Sequence, residues 1–182
     1  GLSGHNKTMA VEIIIEDARW EQENLTGLVQ RAEQATLAYF KLNPAEFEIS
    51  VLGGNDARLA ELNASFRDKP SATNVLSWPT IDRSGDIPGA RPVLPKMGDA
   101  PELGDIALAY ETCQREAEAA KLVLSDHVLH LLVHGILHLL GYDHVNEQDA
   151  MVMERSEIEI LSILGVANPY TDPGDLPVKV ER

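Results

Sequence analysis

The run at residues 122–142, LVLSDHVLHLLVHGILHLLGY, constrains this chain more than any other feature. It is apolar around the whole helical circumference, yet it holds Asp126 and four histidines, His127, His130, His134 and His138. A membrane span needs ~20 predominantly apolar residues, and an acidic residue inside one costs a few kcal/mol. The run therefore predicts a helix buried at the centre of a water-soluble fold, capped by Ser125 and ended by Gly141. The 182-residue chain is long enough to surround it. A single domain of this size buries about 70% of its unfolded surface.

The remaining elements follow from periodicity. Val11–Ile15 (VEIII) is a β-branched run and reads as a strand. Residues 25–41 place Leu28, Ala32, Ala35 and Tyr39 at helical spacing. Phe47, Ile49 and Val51 alternate with more polar neighbours in a second strand that Gly53 and Gly54 end. Leu59, Leu62 and Phe66 mark a helix over 56–66, and TNVLSW at 73–78 a third strand. Residues 104–110 (GDIALAY) form a fourth strand, 111–120 a helix, and Asn146 caps a last helix over 147–164 with Ile158, Leu161 and Leu164 on its stripe. Four strands and about five helices in mixed order predict an α+β fold, an α/β sandwich. Its small mixed four-stranded sheet packs against helices, and the central apolar helix carries the histidines.

Residues 79–102 hold five of the ten prolines and show no period, so they are expected to be an insertion or a mobile lid. Residues 1–8 precede a methionine and read as appended to the natural start. One domain is expected over 9–165, with 166–182 a frayed tail. The charge is 15 basic against 29 acidic residues, a formal net −14. That balance excludes bulk attraction to nucleic acid or to an anionic membrane, though not a small local basic site. Cys113 is the single cysteine, which rules out an internal disulfide and favours a reducing compartment.

The chemistry concentrates in HGILHLLGYDH at 134–144. Side chains four apart on a helix share a face about 6 Å apart along the axis, so His134 and His138 aim at one point. Gly141 permits the left-handed conformation that ends a helix, and the chain can then fold His144 back as a third nitrogen. Three neutral imidazoles hold Zn²⁺ while leaving a fourth position open for water. A closed structural site would call for another ligand, usually cysteine. His130, one turn before His134, could replace a ligand, fill core, or support the ligands from behind; the last role is favoured because the turn brings His144 nearest His138. His127 and His5 read as surface or appended residues. Asp143 either orients an imidazole N–H or is a solvated loop carboxylate.

The spacing H-x-x-x-H-x-x-G-x-x-H is shared with metzincin proteases, which carry a glutamate general base directly after the first histidine. Gly135 stands there in this chain. Met151 and Met153 fall at helical spacing and read as core fillers, not as the methionine turn of that group. In NASFRDKPSATNVLSW at 63–78, Arg67 and Lys69 offer cations for a phosphate. Position alone does not separate them from solvated loop charges.

Together these motifs resemble the YbeY family of bacterial endoribonucleases over residues 11–165. HGILHLLGYDH is the specific match, supported by LNASFRDKPSATNVLSW at 62–78 and LGDIALA at 103–109. The resemblance implies a small α/β domain, one Zn²⁺ on His134, His138 and His144, and participation of Arg67 in RNA cleavage. It also implies a cytoplasmic enzyme that matures the 3′ end of 16S ribosomal RNA and serves ribosome quality control, acting with ribosomal proteins or a ribosome-associated GTPase. Asp143 is then a candidate for proton handling, and Lys69 and Asn74 for substrate contact. Residues 79–102 look longer than the family usually has. The acidic charge implies a local cationic groove for single-stranded RNA, with a partner supplying most of the affinity. The alternatives are a metalloprotease-like hydrolase and a non-enzymatic ribosome-assembly factor with structural zinc.

Overall fold

The computed structural model describes residues 5–8, 11–67, 73–85, 87–96 and 101–170. Among these are five strands: β1 (His5–Thr8), β2 (Val11–Ile15), β3 (Glu48–Gly54), β4 (Val75–Pro79) and β5 (Glu102–Ala109). The helices are α1 (Arg19–Gln22), α2 (Leu25–Tyr39), α3 (Asp56–Arg67), α4 (Tyr110–Ala119), α5 (Leu124–Leu139) and α6 (Glu147–Ile163), with one 3-10 turn at Pro44–Glu46. The four expected strands build the expected mixed α+β sheet. A fifth joins them, because His5–Thr8 pairs antiparallel with β2 as an edge strand. The backbone of His5–Thr8 is thus part of the sheet.

Sheet order is β1-β2-β3-β5-β4, with β2, β3 and β5 parallel and the two edges antiparallel. Parallel neighbours require crossover connections, and α2 between β2 and β3 is such a crossover. Ile13 pairs with Val51, and Val51 with Ile106, so three β-branched side chains line one face in register. Helix α5 lies on that face. Every residue from His127 to Leu139 is buried, as expected of a helix apolar all round. Gly135 permits the close approach: a Cβ there would lie 3.0 Å from Ile106 Cδ1 and 3.2 Å from Ser77 Oγ. A smaller cluster of Leu59, Leu76, Ala107 and Ala109 forms the second core under α3.

Several local expectations differ from what is observed. Helix α5 starts one residue ahead of Ser125, with Val123 at the cap position and no side-chain cap bond. Asn146 does cap α6, accepting from the Asp149 N–H. The buried stripe of α6 is Met153, Ser156, Glu157, Ile160 and Leu161; of the expected stripe Leu161 is buried, whereas Ile158 and Leu164 are only half-buried. Met153 is core, but Met151 is 61% exposed on the opposite face. His127 is buried, its Nε2 bonded to Glu116 at 2.9 Å, because α4 folds back to cover it.

Residues 166–170 pack against the domain. The Val166 N–H donates to Leu161 at 2.8 Å, and the Tyr170 hydroxyl donates to Glu157. The described part of 79–102 packs across the end of α5. The Gly89 N–H donates to Asp149 at 2.7 Å, and Arg83 and Pro92 abut Gly141. Among the described residues no single helix is long and apolar enough to cross a membrane.

Candidate metal centre

Helix α5 sets His134 and His138 on one face, and their Nε2 atoms stand 3.0 Å apart. The helix then closes on itself. The Gly141 N–H donates to His138 O at 3.0 Å and the Tyr142 N–H to Leu137 O at 2.9 Å. Gly141 adopts φ +106, which L side chains rarely do. A Cβ there would come within 2.7 Å of the Arg83 carbonyl and 2.8 Å of Pro92. The turn swings His144 back until its ring centroid lies 5.2 Å from that of His134 and 5.1 Å from that of His138. One donor atom from each of the three histidines lies within 4.8 Å of the other two.

The tautomers follow from the partners. His138 Nδ1 faces the Tyr142 carbonyl at 2.9 Å, and His134 Nδ1 faces the Glu157 carboxylate. Both partners only accept, so each Nδ1 carries the proton and each Nε2 presents a lone pair. Two lone pairs 3.0 Å apart repel unless a cation lies between them. Nitrogens around a tetrahedral zinc sit ~3.3 Å from one another at a Zn–N distance of about 2.0–2.1 Å. The three residues therefore fit a divalent cation by chemistry and by spacing.

Glu157 is the residue that motif reading missed. It is fully buried on α6 and accepts from His134 Nδ1, from His130 Nε2 at 3.3 Å and from the Tyr170 hydroxyl. Burial pushes its carboxyl up. The electrostatic pull of the His134 ring dipole and the hydrogen bonds of His130 and His134 outweigh burial and hold it below the ordinary glutamate range. A carboxylate behind a ligand histidine fixes the ring and raises its basicity. The signal was present in the sequence: a glutamate at a core position of an amphipathic helix, three residues before Ile160. His130 stands behind the ligands, bridging Glu157 and Tyr170. Burial holds its ring below the ordinary histidine value.

A cleft of about 210 Å³ opens beside His138, lined among others by Ser77, Arg83, Tyr142 and Asp143. Asp143 Oδ1 accepts the His144 N–H at 2.7 Å, so this carboxylate shapes the turn. Asn74 is buried and donates to Glu116 at 3.0 Å; it is not among the residues lining this cleft. Arg67 ends α3, and its side chain lies outside the described residues, as does all of Lys69.

Fold and site together define an α+β domain with three histidines that could hold a metal ion at the edge of a cleft. Residues 11–165 match the family described as Endoribonuclease YbeY. The Endoribonuclease YbeY of Dinoroseobacter shibae is 55% identical over 165 residues, covering 90% of this chain and 91% of the relative. That of Ruegeria pomeroyi is 52% identical, covering 90% and 99%. The solution structure of TM1509 from Thermotoga maritima superposes with a TM-score of 0.51 at 18% identity, covering 92% of this chain and 99% of that one, a likeness of fold alone. The chain belongs to the YbeY endoribonuclease family, which acts in ribosomal RNA maturation. The protease alternative is not favoured. Gly135 faces Ile106 and Ser77, which leaves no room for the metzincin glutamate.

Proposed function

We propose that this chain cleaves single-stranded RNA hydrolytically at the three-histidine site, with one Zn²⁺ held by His134, His138 and His144. The observation that carries this reading is the pair of facing Nε2 lone pairs, each fixed by a donating Nδ1 on its far side. A bound zinc supplies Lewis acidity and a water whose pKa falls to about 7. The chain's own residues do the rest. Glu157 holds the His134 ring in its tautomer, and His130 and Tyr170 hold Glu157. Arg67 neutralises charge developing on the phosphoryl oxygens. Asp143 or another carboxylate moves the proton, and Lys69 contacts the substrate.

The biological role that goes with this chemistry is maturation of the 3′ end of 16S ribosomal RNA and ribosome quality control in the cytoplasm. Ribosomal proteins or a ribosome-associated GTPase would be the partners. The net charge of −14 supports a partner that brings RNA to a small cationic groove. A purified preparation should cut a single-stranded RNA of the 16S 3′ end and leave a fully paired duplex of the same sequence whole. Cutting of a protein substrate with RNA left intact would contradict this reading. An RNA-binding log–log salt slope steeper than about −4 would contradict the local groove.

A further inference from the structure

We propose that Arg83, contributed by the proline-rich segment 79–102, is a phosphate-binding residue of the same cleft and takes a phosphodiester of the RNA strand. The proposal rests on the nuclease reading above and names the anchor for its substrate.

Two independent observations carry it. Arg83 is only 9% exposed, and its Nη1 is shielded from solvent with no hydrogen-bond partner among the described residues. A buried guanidinium N–H without an acceptor is costly, and an anion that accepts from it removes that cost. Arg83 also lines the cleft that His138 borders. The two carboxylates lining that cleft are engaged elsewhere. Asp82 Oδ1 accepts from the Ser84 N–H and hydroxyl, and Asp143 Oδ1 accepts from the His144 N–H.

The geometry also explains why the anchor sits on this segment. The Arg83 carbonyl lies against Gly141, the residue whose turn delivers His144. The stretch that supplies the guanidinium is thus packed on the bend that supplies the third imidazole, which sets the anchor's place relative to the cation site. The planar fork of arginine can bind two phosphate oxygens at once.

The test uses full-length protein stripped of metal by chelation and a fluorescently labelled 12-nucleotide single-stranded RNA, read by anisotropy across a KCl series. The variants are R83M, which keeps the side-chain stem, and R83K, which keeps the charge. R83M should bind about 10-fold more weakly, with a salt slope shallower by about 0.7, the value for one phosphate contact on a single strand. R83K should keep the wild-type slope and lose part of the affinity. The Tm of R83M should equal or exceed that of the wild type, because an uncompensated buried charge has been removed. Wild-type affinity and slope in R83M, or an affinity loss matched by a fall in Tm, would overturn the proposal. A parallel cleavage assay on zinc-loaded wild type separates the two readings. Cleavage with unchanged R83M binding removes Arg83 alone, whereas a wild type that neither binds nor cuts RNA removes both.

Discussion

Glu157 accepts a hydrogen bond from the Nδ1–H of His134 on the neighbouring helix, and that bond decides which nitrogen of the ring faces the cleft. The carboxylate is wholly buried and is shared with His130 and Tyr170. Replacing it with the neutral amide in E157Q should lower zinc affinity by about 10- to 100-fold, the usual cost of losing a partner behind a ligand histidine. Competition against a chelator of known affinity measures this. An unchanged affinity would show that the ring is oriented by something else.

Gly141 links the helix end to the third histidine. At φ +106, with backbone 2.7 Å from a would-be Cβ, alanine is strained twice over. G141A should lose about 2–4 kcal/mol of folding stability from the dihedral and the displaced Arg83 backbone. It should also bind metal more weakly, as His144 moves off its partners. Urea unfolding and metal titration of the same preparation check both effects.

Glu33 on α2 should contribute a loss of stability as pH rises toward neutrality. Glu33 is 2% exposed and its Oε1 has no hydrogen-bond partner among the described residues. Burial lifts its pKa from 4.5 to about 7. The folded state therefore holds this proton more tightly than the unfolded chain does. The stability it allows below pH 4.5 is lost progressively up to about pH 7. At about 1.4 kcal/mol per pH unit, the loss approaches 3 kcal/mol. E33Q should flatten this part of the stability profile and raise Tm at pH 8. A profile as steep in E33Q as in the wild type would assign the effect to another group.

The sequence made some of this legible and hid the rest for physical reasons. The apolar circumference of α5 announced its central place, and the spacing of His134, His138, Gly141 and His144 announced the site. Both are local patterns, set within a few helical turns. Glu157 comes from a different helix, so no short motif contains it. Only its position on the Met153, Ile160 and Leu161 stripe marks it, and of that stripe the sequence periodicity picks out Leu161 alone. His127 is covered by α4, whose fold-back onto α5 is a tertiary contact that the periodicity of α5 alone does not show. His5–Thr8 has no β-branched signature beyond Thr8, and only its pairing with β2 makes it a strand. Arg83 sits in a segment without period, where no pattern says what a turn will bury.

The account stands on one cation held by three imidazoles and required for RNA cleavage. Elemental analysis of purified wild type and H138A, paired with RNA cleavage before and after chelation, tests it most directly. The wild type should carry about one zinc per chain, lose cleavage when stripped and regain it on adding zinc back, while H138A carries none and does not cut. Undiminished RNA cleavage by the stripped wild type would contradict the account.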